Sequence, residues 1–230
     1  MAEATIAVIV PAAGTGSRIG GERKQFRRLG DHPLFIETLG VFDRHESIDL
    51  LILAAASSDH PAIVDALASA AFRTPVVLAP GGGTRQASVR AGLDLVPPGI
   101  DFVLVHDGVR PFVTPSAIDR VIGAIRETGA AALAVEATDT LRRGGQGVFG
   151  DTVPREGLYR MQTPQGARRD WLVEAHASAH RDDVEATDDV ALLQRIGRPV
   201  RIVDGDPLNI KVTTPADWEL ARRLWSIRSH

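Results

Sequence analysis

The segment "TIAVIV" at residues 5–10, followed by "PAAGTGSRIGGERKQF" at residues 11–26, decides the fold. The first part is a short apolar run of mostly β-branched residues, which is typical of a strand buried on both faces. The second part is rich in glycine and carries Arg18 and Lys24. Loops at the carboxyl ends of strands in open α/β sheets expose backbone N–H groups to ligands. The segment therefore predicts a strand that leads into a candidate phosphate-binding loop.

The remainder of the chain alternates short apolar runs with longer helical patterns. The further strand-like runs are "DLLILAA", "PVVLA", "DFVLVH" and "AALAVEA", and a helical pattern lies between each run and the next. Such alternation indicates βαβ units. We therefore expect one α/β domain over residues 1–230, with a Rossmann-like, mainly parallel sheet flanked by helices.

Residues 138–166 interrupt this alternation and are rich in Gly, Arg and Thr. Within them, "DTLRR" and "GVFGDTVPR" are compatible with strands, and "GGQG" supplies a turn. The pattern favours an extended β-hairpin arm, and a surface loop is the alternative. Helical patterns return at "RRDWLVEAHASAH" and "DDVALLQRIG", before a strand "PVRIVD" and a last helix from about Pro215.

Composition restricts the class of function. The chain has 230 residues, a formal net charge of -3 and no cysteine. These values argue against a non-specific nucleic-acid binder and exclude a thiol nucleophile, so that any metal needs oxygen or imidazole ligands. The N-terminal apolar run is too short to span a membrane, and Glu3 stands where a signal peptide has cations. We expect a cytoplasmic protein with neither a nucleic-acid nor a membrane partner.

The glycine-rich loop fits neither of two familiar phosphate-binding patterns. A dinucleotide fingerprint that begins at Gly14 needs glycine where Ile19 stands, and a Walker A loop needs lysine where Glu22 follows Gly21. Arg18 and Lys24 can still stabilise a triphosphate. The alternative is a tight turn with two solvated cations.

A second candidate is "HDGVRP" at residues 106–111, after the predicted strand "DFVLVH". Asp107 would lie at the mouth of the sheet, where a carboxylate can hold Mg²⁺ against phosphate oxygens. Alternatively, Asp107 pairs with Arg110 or caps the next turn. We expect His106 to orient the loop.

A third candidate is "GGGTRQASVRAGL" at residues 81–93. Glycine lets a backbone approach a flat base closely, and Ser88 offers a small hydroxyl. The alternative is an ordinary flexible loop before a helix.

Together these motifs, with "TPQGA" and "GDPLNIKVTTPADW", resemble the 2-C-methyl-D-erythritol 4-phosphate cytidylyltransferase family over nearly the whole chain. The resemblance implies transfer of CMP from CTP to that substrate, with Mg²⁺ as cofactor and pyrophosphate as leaving group. It implies a CTP site formed by the loop backbone, the second glycine-rich loop and a serine hydroxyl: Ala12, Ala13, Gly14, Gly82 and Ser88. It also places Arg18 and Lys24 at the triphosphate and Asp107 at the metal.

The positions that the resemblance assigns to the methylerythritol phosphate are dispersed along the chain: Thr140, Arg155, Thr187 and Lys211. Thr140 and Arg155 lie on the arm, so the resemblance implies a homodimer in which the arm completes the neighbouring subunit's site. One departure is Arg23, where the family often has proline before the loop lysine. The alternatives are a cytidylyltransferase for another polyol phosphate, such as ribitol 5-phosphate, and a non-catalytic CTP sensor.

Overall fold

The structure, a computed structural model, describes residues 4–14 and 24–228, and it describes Lys24 by its backbone alone. The strands in these ranges are β1 (Ile6–Pro11), β2 (Arg28–Leu29), β3 (His32–Pro33), β4 (Leu50–Ala55), β5 (Val76–Pro80), β6 (Phe102–Val105), β7 (Ala130–Glu136), β8 (Leu141–Gly145), β9 (Val148–Val153), β10 (Tyr159–Arg168) and β11 (Arg201–Asp204). The helices are α1 (Leu34–Asp43), α2 (His60–Ala70), α3 (Arg85–Leu93), α4 (Pro115–Thr128), α5 (Arg169–Arg181), α6 (Asp189–Arg195) and α7 (Pro215–Arg228). A 3-10 turn covers Lys24–Phe26.

The central sheet has the strand order β11-β7-β10-β6-β1-β4-β5. β10 is antiparallel to both of its neighbours, and the other adjacent pairs are parallel. The predicted mainly parallel α/β sheet is therefore confirmed, and β1 is an interior strand between β6 and β4.

Each face of the sheet is covered by its own apolar layer. Alternate residues of β1 point to opposite faces, as they do in any strand. Val8 packs in the layer that contains Phe35 and Ile118, from α1 and α4. Ile9 packs in the layer that contains Val89 and Leu172, from α3 and α5. Burial on both faces explains why the central strands are continuously apolar.

The hairpin arm is formed by β8 and β9, which pair only with each other in the sheet arrangement of the described chain. Gln146 and Gly147 connect them, and both have positive φ (51° and 80°), as a two-residue type I′ loop requires. All of β8 is exposed. The predicted hairpin is thus confirmed as a structure that projects from the sheet.

The expected end of the excursion near residue 166 is wrong. The chain returns at Tyr159 and forms β10, which lies between β6 and β7 in the central sheet. A Cβ atom at Gly166 would lie 2.4 Å from Leu104 Cδ2, so a larger residue here would require the Leu104 side chain to move. The buried positions of this strand include Gln162, Thr163 and Gln165, so the segment lacks the apolar pattern of a strand. The excursion covers about residues 138–158.

Among the residues that the structure describes, no helix is long and apolar enough to cross a membrane.

Candidate active site at the mouth of the sheet

A cavity of about 360 Å³ opens at the carboxyl ends of β1, β5 and β6. Parallel strands bring the loops that follow them to the same edge of the sheet, which is where open α/β folds bind ligands. All three sequence candidates contribute to its wall. Its lining includes Ala12, Ala13, Gly14, Gln25, Gly82, Arg85, Ser88, Asp107 and Lys211.

The two glycine-rich loops meet closely at this cavity. A Cβ atom at Gly81 would lie 2.2 Å from Ala13 Cβ, and one at Gly82 would lie 2.4 Å from Ala87 Cβ. These contacts are shorter than any side chain tolerates, so glycine allows both the approach of the loops and the packing against α3. The two loops and the start of α3 are therefore packed closely together in this wall.

Helix α3 begins at the same wall with an ordered N-terminus. The Thr84 hydroxyl oxygen accepts a hydrogen bond from the Ala87 N–H at 3.1 Å, as an N-cap does. The Ser88 hydroxyl donates to the Thr84 carbonyl at 2.9 Å and accepts from the Gly82 N–H at 3.0 Å. Ser88 thus fixes the turn before the helix.

Asp107 lies just beyond β6 and is surrounded by three cations. Its Oδ1 is 3.2 Å from Arg85 Nε, and its Oδ2 is 3.2 Å from Arg110 Nε and 3.0 Å from Lys211 Nζ. Burial alone would raise the pKa of this carboxyl, but attraction to Lys211, Arg85 and Arg110 holds the pKa well below its ordinary value. Asp107 is therefore a carboxylate at every working pH.

His106 is linked to Asp107 by hydrogen bonds through neighbouring residues. Nε2 donates to the Arg110 carbonyl at 2.9 Å, and Nδ1 accepts from the Thr163 hydroxyl at 3.1 Å. The Thr163 hydroxyl oxygen accepts in turn from the Asp107 N–H at 3.1 Å. Burial lowers the pKa of His106 to about 4, so the ring is neutral at pH 7. These bonds support the expected orienting role.

Lys211 reaches Asp107 from the loop before α7. The Val212 N–H donates to the Val109 carbonyl at 2.9 Å, and Arg110 Nη1 donates to the Asn209 carbonyl at 2.7 Å. The loop is therefore fixed on both sides of Lys211. The Lys211 side chain remains 43% exposed, so its ammonium is accessible from the cavity.

The structure places most of the predicted site residues in one wall. Seven of them line the cavity: Ala12, Ala13, Gly14, Gly82, Ser88, Asp107 and Lys211. Thr140, Arg155 and Thr187 are exposed and do not line it. Arg18 and the Lys24 side chain lie outside the described residues, so the prediction for both stays a prediction. The expected alternative for Asp107, pairing with Arg110, is observed together with its place in the cavity.

The sequence analysis missed two residues in the wall, Gln25 and Arg85. Gln25 is buried, and its Nε2 donates to the carbonyls of Ala12 and Gly14 at 3.1 and 3.0 Å. It therefore fixes the loop before residue 15. A signal for Arg85 was available, since a cation directly after "GGGT" is as noticeable as the cations of the first loop.

The donor set does not fit a metal that the protein holds alone. Both oxygens of Asp107 are already in ion pairs. The described ranges contain no group of three or more His, Cys, Asp or Glu that could hold a metal ion. Mg²⁺ is commonly bound through one or two carboxylates with substrate phosphates. A metal at this wall would take most of its ligands from a bound phosphate group.

Comparisons with known proteins agree with this geometry. The family model of 2-C-methyl-D-erythritol 4-phosphate cytidylyltransferase matches residues 6–225. A protein of that name from Salinibacter ruber is 47% identical over 220 residues, which make up 96% of this chain and 92% of that protein.

Solved structures are similar along nearly their whole length. The crystal structure of 4-diphosphocytidyl-2C-methyl-D-erythritol synthase from Anaerococcus prevotii has a TM-score of 0.86 at 28% identity, with 97% of each chain covered. That of 2-C-methyl-D-erythritol 4-phosphate cytidylyltransferase from Thermus thermophilus has a TM-score of 0.82 at 35% identity, with 96% of this chain and 99% of that chain covered. The similarity of the fold therefore extends over nearly the whole chain.

Proposed function

This chain belongs to the 2-C-methyl-D-erythritol 4-phosphate cytidylyltransferase family, whose members are CTP-dependent nucleotidyltransferases of isoprenoid biosynthesis, and we propose that the cavity at the mouth of its sheet is the transfer site. The reaction moves CMP from CTP to 2-C-methyl-D-erythritol 4-phosphate and releases pyrophosphate. The observation that carries the proposal is the shared wall, in which the two glycine-rich loops and the Asp107–Lys211 pair line one cavity.

The nucleotide would bind along the two glycine-rich loops. The short approach between Gly81 and Ala13 forms a narrow wall, which suits a flat base. Arg18 and Lys24 follow the Ala12–Gly14 backbone in the chain and would stabilise the triphosphate. Their charge is needed because the transition state concentrates negative charge on the phosphates.

In the transfer step, a phosphate oxygen of the methylerythritol phosphate attacks the α-phosphorus of CTP. A new P–O bond forms while the bond to the β-phosphate breaks, and the electron pair leaves with pyrophosphate. A phosphate monoester is already nucleophilic, so the site needs no general base. Lys211 is charged, accessible and oriented by Asp107, so it can hold the attacking phosphate against the repulsion of the triphosphate.

Mg²⁺ would accompany the triphosphate and would supply charge neutralisation when bound. Asp107 is the carboxylate of the cavity wall that could bind such a metal, although both of its oxygens are already in ion pairs.

The charge of the substrates bears on where the protein acts. Both substrates are highly charged phosphates that do not cross membranes unaided. Because the enzyme needs access to both, we infer a cytoplasmic location.

The homodimer is the part of the proposal that concerns the arm. Thr140 and Arg155 are exposed on it, and the Arg155 guanidinium donates to the Thr138 carbonyl at the arm's base. Neither residue lines the cavity of its own chain. Both would serve the partner's site, where Arg155 and Thr140 would join Lys211 and Thr187 around the substrate phosphate.

The test is a pyrophosphate-release assay with CTP, Mg²⁺ and either 2-C-methyl-D-erythritol 4-phosphate or ribitol 5-phosphate. We expect the higher kcat/KM with the methylerythritol phosphate. A higher value with ribitol 5-phosphate would overturn the proposed substrate. Thermal stabilisation by CTP without turnover would instead identify a sensor, because a ligand raises the melting temperature whether or not it reacts.

A further inference from the structure

Arg85 lies at the N-terminus of α3, where a positively charged side chain is unfavourable. It is the first residue of α3, and a cation there opposes the partial positive charge of the helix N-terminus. The first turn of α3 contains no acidic residue to compensate for it. A residue that breaks a local rule is often retained for function. Its contacts indicate which function this is.

The guanidinium of Arg85 joins two buried carboxylates from distant parts of the chain. Nε is 3.2 Å from Asp107 Oδ1, and Nη1 is 2.7 Å from Asp189 Oδ2. Burial alone would lower the pKa of Arg85, but attraction to Asp189 and Asp107 raises the pKa above its ordinary value. Arg85 is therefore always charged, and both of its bonds are charge-assisted.

Arg85 is the partner that determines how the Asp107 carboxylate is rotated. Arg110 and Lys211 both contact Oδ2, whereas Arg85 forms the ion pair with Oδ1 among the described residues. Rotation of an aspartate carboxylate about its last bond is otherwise broad. By fixing Oδ1, Arg85 also sets the direction from which Oδ2 meets the Lys211 ammonium.

Asp189 is itself held in place. It is 1% exposed, and its Oδ1 is 2.9 Å from Nε2 of His176, which is also buried. Its backbone N–H donates to Gln165 Oε1 at 2.9 Å. Asp189 begins α6, where a negative charge is favourable. A continuous series of contacts thus runs from α5 through α6 and α3 to the transfer site.

We propose that Arg85 is a positioning residue for the transfer step, held by the buried Asp189–His176 pair and orienting Asp107 and, through it, Lys211. This inference rests on the proposed function, since it assigns a role within the same site. Arg85 acts here through Asp107 and not as an additional triphosphate ligand.

The first test is Asp189→Asn, with Asp188→Asn as the matched control. Asp188 is the neighbouring residue and caps α6 by accepting from the Ala191 N–H at 3.0 Å, which asparagine does equally well. Loss of the charge at Asp189 releases Arg85, so we expect kcat to fall by about ten-fold or more, because small misplacements of reacting groups have such effects. KM for CTP should change by less than about three-fold, since ground-state binding is preserved. The control should keep kcat within about two-fold.

A folded Asp189→Asn enzyme with wild-type kcat would overturn the proposal. Arg85→Lys provides the test if Asp189→Asn does not fold, since lysine keeps the charge but not the two-pronged geometry. We expect Arg85→Lys to lower kcat by about ten-fold in the wild-type background and by less than about two-fold in the Asp107→Asn background. An equal loss in both backgrounds means that Arg85 acts independently of Asp107, which also overturns the proposal.

The wild-type enzyme is assayed with both substrates in the same experiment. Absence of wild-type turnover contradicts the proposed function itself. Normal wild-type turnover with unaffected Asp189→Asn and Arg85→Lys enzymes contradicts only the role of Arg85.

Discussion

At the mouth of the sheet, Asp107 is 7% exposed and has both carboxylate oxygens in ion pairs, whereas on the arm Phe149 is 87% exposed. The charged side chains of the cavity wall, Arg85, Asp107 and Lys211, are joined by ion pairs within one chain. The arm leaves Val148 and Phe149 uncovered at its tip, and its Arg155 donates to the Thr138 carbonyl at its own base. Contiguous apolar patches on a protein surface often mark interaction sites, and these two adjacent side chains form the apolar part of the arm tip. The difference teaches that the contacts of the cavity wall can be traced within one chain, whereas the exposed arm tip gains a role only in the proposed homodimer.

The largest expected effect concerns the cations of the first loop, which the proposed function assigns to the cavity side of this comparison. Lys24→Ala and Arg18→Ala should each lower kcat by on the order of 10² to 10³, because removal of one preorganised charge at a transition state has that effect. Steady-state kinetics, with circular dichroism to verify folding, is the measurement. Unchanged turnover in either variant would assign that residue to a solvated surface.

Buried His106, next to Asp107 of the cavity wall, predicts that the free energy of unfolding depends on pH. The exposed residues of the arm should not contribute to this dependence. Burial lowers the pKa of His106 in the folded chain to about 4 from an ordinary value of 6.5. Below pH 6.5 the unfolded chain therefore binds a proton that the folded chain refuses, and stability falls until about pH 4. At 1.36 kcal/mol for each pKa unit, the loss amounts to about 3 kcal/mol.

Urea unfolding between pH 4 and pH 7 measures this loss. His106→Gln should flatten the curve, since the amide can replace the bond to the Arg110 carbonyl without titrating in this range. His180→Gln, at an exposed position of α5, is the control and should keep the wild-type slope. Equal slopes in all three proteins would show that His106 does not titrate as its burial implies.

From the sequence, it was easier to predict which loops form the cavity than which contacts their residues make. The physical reason differs from element to element. The β1 loop, "HDGVRP" and "GGGT" are local patterns at the ends of apolar strands, so their common edge follows from parallel topology. β10 was missed because its buried positions include Thr163, Gln165 and Gly166, which interrupt the apolar pattern of a strand. The bond between Arg85 and Asp189 joins positions 104 residues apart, and no local pattern contains that information.

On the arm, the site at which an apolar contact can be tested most directly is Phe149. Because its side chain is 87% exposed, Phe149→Ser should change the stability of the single chain by less than about 0.5 kcal/mol. If the ring is buried between two copies, the dimer dissociation constant should rise about ten-fold or more, which corresponds to about 1.4 kcal/mol. Analytical ultracentrifugation measures this constant.

Val64→Ser is the matched control for Phe149→Ser, since Val64 is 53% exposed on α2, away from the arm. It should leave the dissociation constant unchanged. A Phe149→Ser protein that dimerises as tightly as the wild type would place the interface elsewhere on the surface.

The smallest expected effect gives the sharpest comparison between cavity and arm, because it asks whether one active site contains parts of both. Equal amounts of Lys24→Ala and Arg155→Ala protein, each nearly inactive, are mixed and allowed to exchange subunits. Random pairing makes about half of the dimers mixed. If Arg155 serves the partner's site, each mixed dimer has one site with both defects and one site with neither, so activity should recover to roughly a quarter of wild type. If Arg155 serves its own chain, every site keeps one defect and the mixture stays inactive. Subunit exchange is verified with differently tagged chains, and complete exchange without recovery of activity would therefore rule out a shared site, even for an enzyme that is dimeric.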